Sequence, residues 1–120
     1  MFHKKLDVWK EMLDLVELVY RLTKKYPKEE LYVLVSQMRR AVVSAPSNLA
    51  EGCARSGGQE KTHFFLISRG SLSELDTQVE ISLRLQYLSK DEFEVLSEKI
   101  LKTSKMMQGL INSRTVNKEQ

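Results

Sequence analysis

Apolar residues recur at steps of three and four along most of the chain, in four runs separated by short polar breaks. In the central run, Leu31, Leu34, Val35, Met38, Val42, Ala45, Leu49 and Cys53 mark one face of a helix expected from about Glu30 to Ala54. Pro46 lies inside that run. It has no N–H for the carbonyl of Val42 and its ring crowds that carbonyl, at a cost of about 3 kcal/mol. Because the register passes Pro46 unshifted, the pattern predicts one proline-kinked helix, with Ser44, Ser47 or Asn48 bonding the freed backbone groups. A break, with Ser44 capping a new helix and Pro46 in its first turn, is the alternative.

The first run, from about Leu6 to Lys25, is more apolar than one core stripe needs. Glu11, Asp14, Glu17 and Arg21 form a narrow polar stripe, while Met12, Leu13, Leu15, Val16, Leu18, Val19, Tyr20 and Leu22 cover most of the rest. A surface helix normally shows an apolar arc a little over 100° wide, so the excess predicts an interface between copies, with Leu15, Leu18 and Leu22 as candidates. A thick core with a few exposed leucines is the competing reading. Lys24, Lys25 and Lys28 suit the carbonyl end of this helix, and Pro27 stops it.

Ser56, Gly57 and Gly58 form the clearest linker. A third helix is expected from about Gln59 to Tyr87, with Phe64, Ile67, Ser71, Leu75, Val79 and Ser82 inward and Leu72, Leu83 and Gln86 beside them. Gly70 costs about 1 kcal/mol relative to alanine, which suggests close packing of a neighbour beside it, Ser71 and Ser73. Ser89 and Glu92 spell a capping box for a fourth helix with Phe93, Leu96, Ile100, Met107 and Ile111 inside. Asp91, Glu92 and Glu94 sit at its positive end and Lys99, Lys102 and Lys105 toward its negative end. The apolar period stops at Asn112, so a frayed tail is expected over 112–120. The fold predicted is all-α, an antiparallel up-down four-helix bundle in a single domain spanning 1–120, its ordered core about 5–111.

Composition narrows the class. An apolar fraction of 42%, a charged fraction of 29% and 2 prolines suit a soluble protein of long elements. A single cysteine forms no internal disulfide, which points to the cytoplasm. The first residues carry acids and no cleavage site for a secretory signal, and no apolar run reaches the about 18 residues that span a membrane.

The net charge of +3 comes from 19 basic and 16 acidic residues, and from Leu31 to Gly58 Arg39, Arg40 and Arg55 face only Glu51. These three arginines, with Lys61 and Arg69 on the next helix, are the candidates for contact with RNA or DNA phosphates. Ion pairing of Arg39 or Arg40 with Glu51, Glu74, Asp76 or Glu80 is the structural alternative. The sequence places no aromatic residues among these arginines. No catalytic residue, metal site or cofactor is expected. His3 falls in a terminal segment expected to fray, and Glu60 with His63 is one E-x-x-H match without the second that a two-metal bundle needs. Cys53 keeps the core register, as a small buried thiol does, and Gly57-Gly58 lacks the Lys-Ser/Thr of a phosphate loop.

The stretch QMRRAVVSAPSNLAEGCAR, with LDVWKEMLDLVELVYRLTKKYPKEE before it and FLISRGSLSELDTQ after it, resembles the bacterial family of 23S rRNA intervening-sequence proteins, often filed under a ribosomal-protein name. The accessory proteins of diversity-generating retroelements look like relatives. The resemblance implies a non-catalytic homopentamer of four-helix bundles with a basic surface, and as partners RNA or DNA and a reverse transcriptase or other nucleic-acid enzyme. Arg39, Arg40, Ser47, Asn48, Ala50, Glu51 and Gly52 match the shared motif, in which Pro46, Ser47, Asn48, Glu51 and Gly52 are the structural candidates. The chain departs from it at Cys53, where an aromatic or aliphatic residue is more usual, and at Gly57-Gly58, where the link is often more polar and basic.

Overall fold

The computed structural model describes residues 1–119, with side chains described through 113. Its helices are α1 (Asp7–Thr23), α2 (Ser36–Ala54), α3 (Gly58–Arg84) and α4 (Lys90–Glu119), and no strand occurs among the described residues. The expected all-α bundle is what the chain forms. α1 packs on α2 and α4, and α3 packs on α2 and α4. Contacts between α2 and α3 run in opposite sequence order, Ser82 meeting Met38 and Ser71 meeting Ser44.

α2 is continuous through a buried Pro46, so no new helix starts at Ser44. The three carbonyls after Val42 each accept a side-chain donor. Ser47 Oγ donates to Val43 (2.8 Å), Asn48 Nδ2 to Ser44 (2.9 Å) and, from α3, Ser68 Oγ to Ala45 (2.7 Å). Ser68 is fully buried, so its hydroxyl needs a carbonyl partner. Ser71 Oγ donates to Ser44 Oγ across the seam at 2.9 Å. One turn on, a Cβ on Gly52 would stand 2.7 Å from the Phe65 ring, so only glycine lets the two helices meet there.

Leu15, Leu18 and Leu22 are buried within their own chain, at 0%, 8% and 8% exposure, and so are not the surface leucines of an interface. The reason is position. α1 lies against two neighbours, α2 and α4, and buries a second row of apolar side chains that a one-sided helix would expose. On α3 the inward pair at the start is Phe65 and Ser68, while Ile67 is 38% exposed and Phe64 only half-buried. Two adjacent phenylalanines left the register ambiguous by one residue. α3 ends at Arg84, and Gln86 is exposed with φ 65°, outside the helix expected to reach Tyr87. A Cβ on Gly70 would meet nothing within 4 Å, so no neighbour packs closely on it within the chain.

The second helical run begins not at Glu30 but as a 3-10 turn, Lys28–Glu30, then a π turn, Leu31–Val35, ahead of α2. The extra residue in the π turn rotates Leu31 out of the core to 43% exposure, while Leu34 and Val35 stay buried. At the N-terminus His3 is buried in a 3-10 turn, Phe2–Lys5, with its ring 5.0 Å from that of Trp9, where a frayed segment was expected. Cys53 is half-buried against the core. α4 continues past Asn112 to Glu119, and the expected tail otherwise lies outside the described residues.

Both halves of the capping box form. Ser89 Oγ accepts from the Glu92 N–H (3.1 Å) and Glu92 Oε1 accepts from the Ser89 N–H (2.9 Å). Glu92 also pairs with Lys25, in the connection just past α1, and Glu11 pairs with Lys102 (3.3 Å) and Lys99 (3.6 Å), which tie α1 to α4. The hydrogen bond from Lys102 holds Glu11 below its usual carboxyl range, and the one from Lys25, with the Ser89 N–H, does the same for Glu92. A carboxyl lowered in the fold stabilises it above the unfolded pKa, near 4.5, and that gain is lost as pH falls through the lowered value. The urea midpoint of the wild type is therefore expected to drop below about pH 4.5, and that of Glu11→Gln with Glu92→Gln to drop less steeply. Parallel acid curves would refute the assignment. Gly52→Ala should overpack Phe65 and lose about 1–2 kcal/mol in thermal unfolding, whereas Gly70→Ala should gain about 0.5–1 kcal/mol of helix propensity.

Candidate nucleic-acid interface

α2 buries Met38, Val42, Ala45 and Leu49, and this fixes where the adjacent arginines emerge. Arg39, one residue from Met38, leans toward α1. Its Nε donates to Thr23 Oγ1 at 3.1 Å, and its guanidinium carbon lies 4.6 Å from the centre of the Tyr20 ring. Thr23 is itself anchored, its hydroxyl donating to the Val19 carbonyl at 2.7 Å. Arg39 is thus held by a hydrogen bond and a cation–π contact rather than by a carboxylate. Arg40 is exposed and makes no hydrogen bond or ion pair among the described residues. Neither arginine meets the acids proposed as partners, Glu51, Glu74, Asp76 or Glu80.

Both line an open groove of about 450 Å³ together with Tyr20, Leu31, Tyr32, Val35, Ser36 and Val43. No carboxylate or imidazole is among these residues, so its charge is wholly positive. The two tyrosines were not legible as part of it, because Tyr20 comes from α1 and Tyr32 from the π turn. Aromatic side chains do therefore stand beside the arginines, against the sequence reading. The turn is anchored at its base, where Tyr87 donates to Glu30 Oε2 at 2.9 Å; that bond raises the phenol's pKa. Tyr26 packs against Tyr87 with the rings tilted at 48° and their centres 5.2 Å apart, and burial raises its phenol's pKa likewise. Next to this groove lies an apolar one formed by Trp9, Leu13, Val16, Val43, Pro46, Ser47 and Ala50.

The other basic candidates are not brought together with Arg39 and Arg40. Arg55 pairs with Glu51 at 2.6 Å and lies 4.9 Å from the Phe64 ring centre. Lys61 Nζ donates to the carbonyls of Cys53 (3.0 Å) and Gly52 (3.4 Å), closing the last turn of α2. Arg69 donates to Gln108 Oε1 at 2.7 Å, bridging α3 to α4. Of the motif residues, Pro46, Ser47, Asn48 and Gly52 act on the α2 backbone and its seam with α3, and Glu51 holds Arg55. Among the described residues no three His, Cys, Asp or Glu side chains gather as a metal site would require, and no helix is long and apolar enough to cross a membrane.

Fold and groove define a small helical-bundle protein with a basic, aromatic cleft between its first two helices. The sequence profile described as "23S rRNA-intervening sequence protein" matches residues 4–109, and the chain belongs to that family. Among solved structures it is similar to a protein with unknown function from the S23 ribosomal protein family of Bacteroides thetaiotaomicron VPI-5482. The two share 17% identity and superpose with a TM-score of 0.80 over 87% of this chain and 97% of that one, which shows the fold. No curated protein matches.

Proposed function

We propose that the chain is a non-catalytic bundle that binds nucleic acid through the α1/α2 groove, as a cytoplasmic accessory to a nucleic-acid enzyme such as a reverse transcriptase. The observation that carries this is the arginine pair. Arg39 is pre-oriented by Thr23 and Tyr20 without losing its charge to an acid, and Arg40 beside it has no hydrogen-bond or ion-pair partner among the described residues. A groove with two such guanidinium groups and no carboxylate favours a phosphate backbone. Arg55, Lys61 and Arg69 contribute less, since each is already engaged.

The apolar groove beside it favours a second role, contact with protein. Leu13 and Val43, 37% and 39% exposed, replace the buried leucines as the residues through which copies would assemble into the pentamer the family resemblance implies. On that alternative the chain is a scaffold without a nucleic-acid role.

Binding of an RNA hairpin carrying a single-stranded tail, measured by fluorescence anisotropy across salt concentrations, tests the first reading. Two phosphate contacts predict a slope of log K against log salt of about −1.4, falling by about half in Arg40→Ala. No binding at low salt, or binding unchanged in Arg39→Ala with Arg40→Ala, would remove it. Light scattering tests assembly, a particle of five chain masses being expected and a stable monomer contradicting it.

A further inference from the structure

Paired and unpaired strands offer a protein different chemistry. A duplex keeps its base faces stacked inside, whereas a single strand presents them to any aromatic ring beside its backbone. The α1/α2 groove carries more than phosphate binding needs. Tyr32 is 88% exposed and makes no hydrogen bond or ring contact among the described residues. Its neighbours Leu31 and Val33 are exposed too, at 43% and 55%, so three consecutive apolar residues face water. The π turn is the cause. A plain α-helical turn would return Leu31 to the face of Leu34 and Met38, and such π insertions concentrate at functional sites. Tyr20 already has one ring face under the Arg39 guanidinium, which leaves Tyr32 as the ring open on the groove.

We infer that the groove takes a single-stranded nucleic acid, one unpaired base stacking on Tyr32 while the adjoining phosphates meet Arg39 and Arg40. This rests on the nucleic-acid reading above and goes beyond it in choosing the unpaired strand and in giving Tyr32 the base. The volume of about 450 Å³ is within the range of sites that hold a small molecule, which suits one nucleotide rather than the side of a helix. Stacking is indifferent to base identity, so little sequence preference is expected.

The test uses the full chain at low salt with a labelled single strand of about 10 nucleotides, the same sequence as a blunt duplex, and polyglutamate as an acidic polypeptide. The single strand should bind at least about 5-fold more tightly than the duplex. Tyr32→Ala should weaken the single strand by about 5-fold or more and leave the duplex unchanged, with Tyr32→Phe retaining the preference. Tyr32 is exposed, so these variants should keep the wild-type melting temperature. Equal affinity for both strands, or an unaltered Tyr32→Ala, overturns the inference; if Arg40→Ala still weakens binding, the broader reading stands. Binding of polyglutamate but of neither nucleic acid overturns both and gives the groove to a protein partner.

Discussion

The close approach of α2 and α3 governs the rest of the molecule. It depends on an absent side chain at Gly52, whose Cβ would press on the Phe65 ring, and on hydroxyls that bond across the seam from Ser68 and Ser71. With that face of α2 committed, the next positions round the helix point away from α3. Arg39 therefore falls beside Tyr20 and Thr23 of α1, and Arg40 is exposed, with no hydrogen-bond or ion-pair partner among the described residues. The packing seam and the charged groove are two consequences of one helix orientation.

The division accounts for the central motif residue by residue. Asn48 and Ser47 bond the backbone around Pro46, Gly52 admits Phe65, and Glu51 restrains Arg55. These are structural tasks, and they leave the arginine pair as the charged part of the motif that no carboxylate neutralises among the described residues. Membership of the 23S rRNA-intervening sequence protein family fits a shared scaffold. At 17% identity, the solved relative testifies to the bundle and not to the groove.

Much of the fold was legible because helices announce themselves by period and by caps. The Ser89 and Glu92 box formed as its spacing implies, and the apolar register through Pro46 correctly indicated a continuous helix. What periodicity does not encode is how many neighbours a helix has, and for that reason Leu15, Leu18 and Leu22 looked like an interface. Nor does it reveal a π turn, since one extra residue per turn leaves no repeat to detect; Leu31 and Tyr32 were displaced by it. The arginine pair could be read from the chain, whereas its aromatic surroundings could not, because Tyr20 and Tyr32 meet it only after folding.

A nucleic acid in this groove is the occupant that its arginine pair and open tyrosine call for. Photo-crosslinking a single-stranded RNA containing 4-thiouridine to the intact chain, followed by mass spectrometry of the tryptic peptides, locates it directly. Adducts on the peptide ending at Arg39, centred on Tyr32, are expected. Adducts confined to the peptides of Lys61 and Arg69, or none in any peptide, would contradict it.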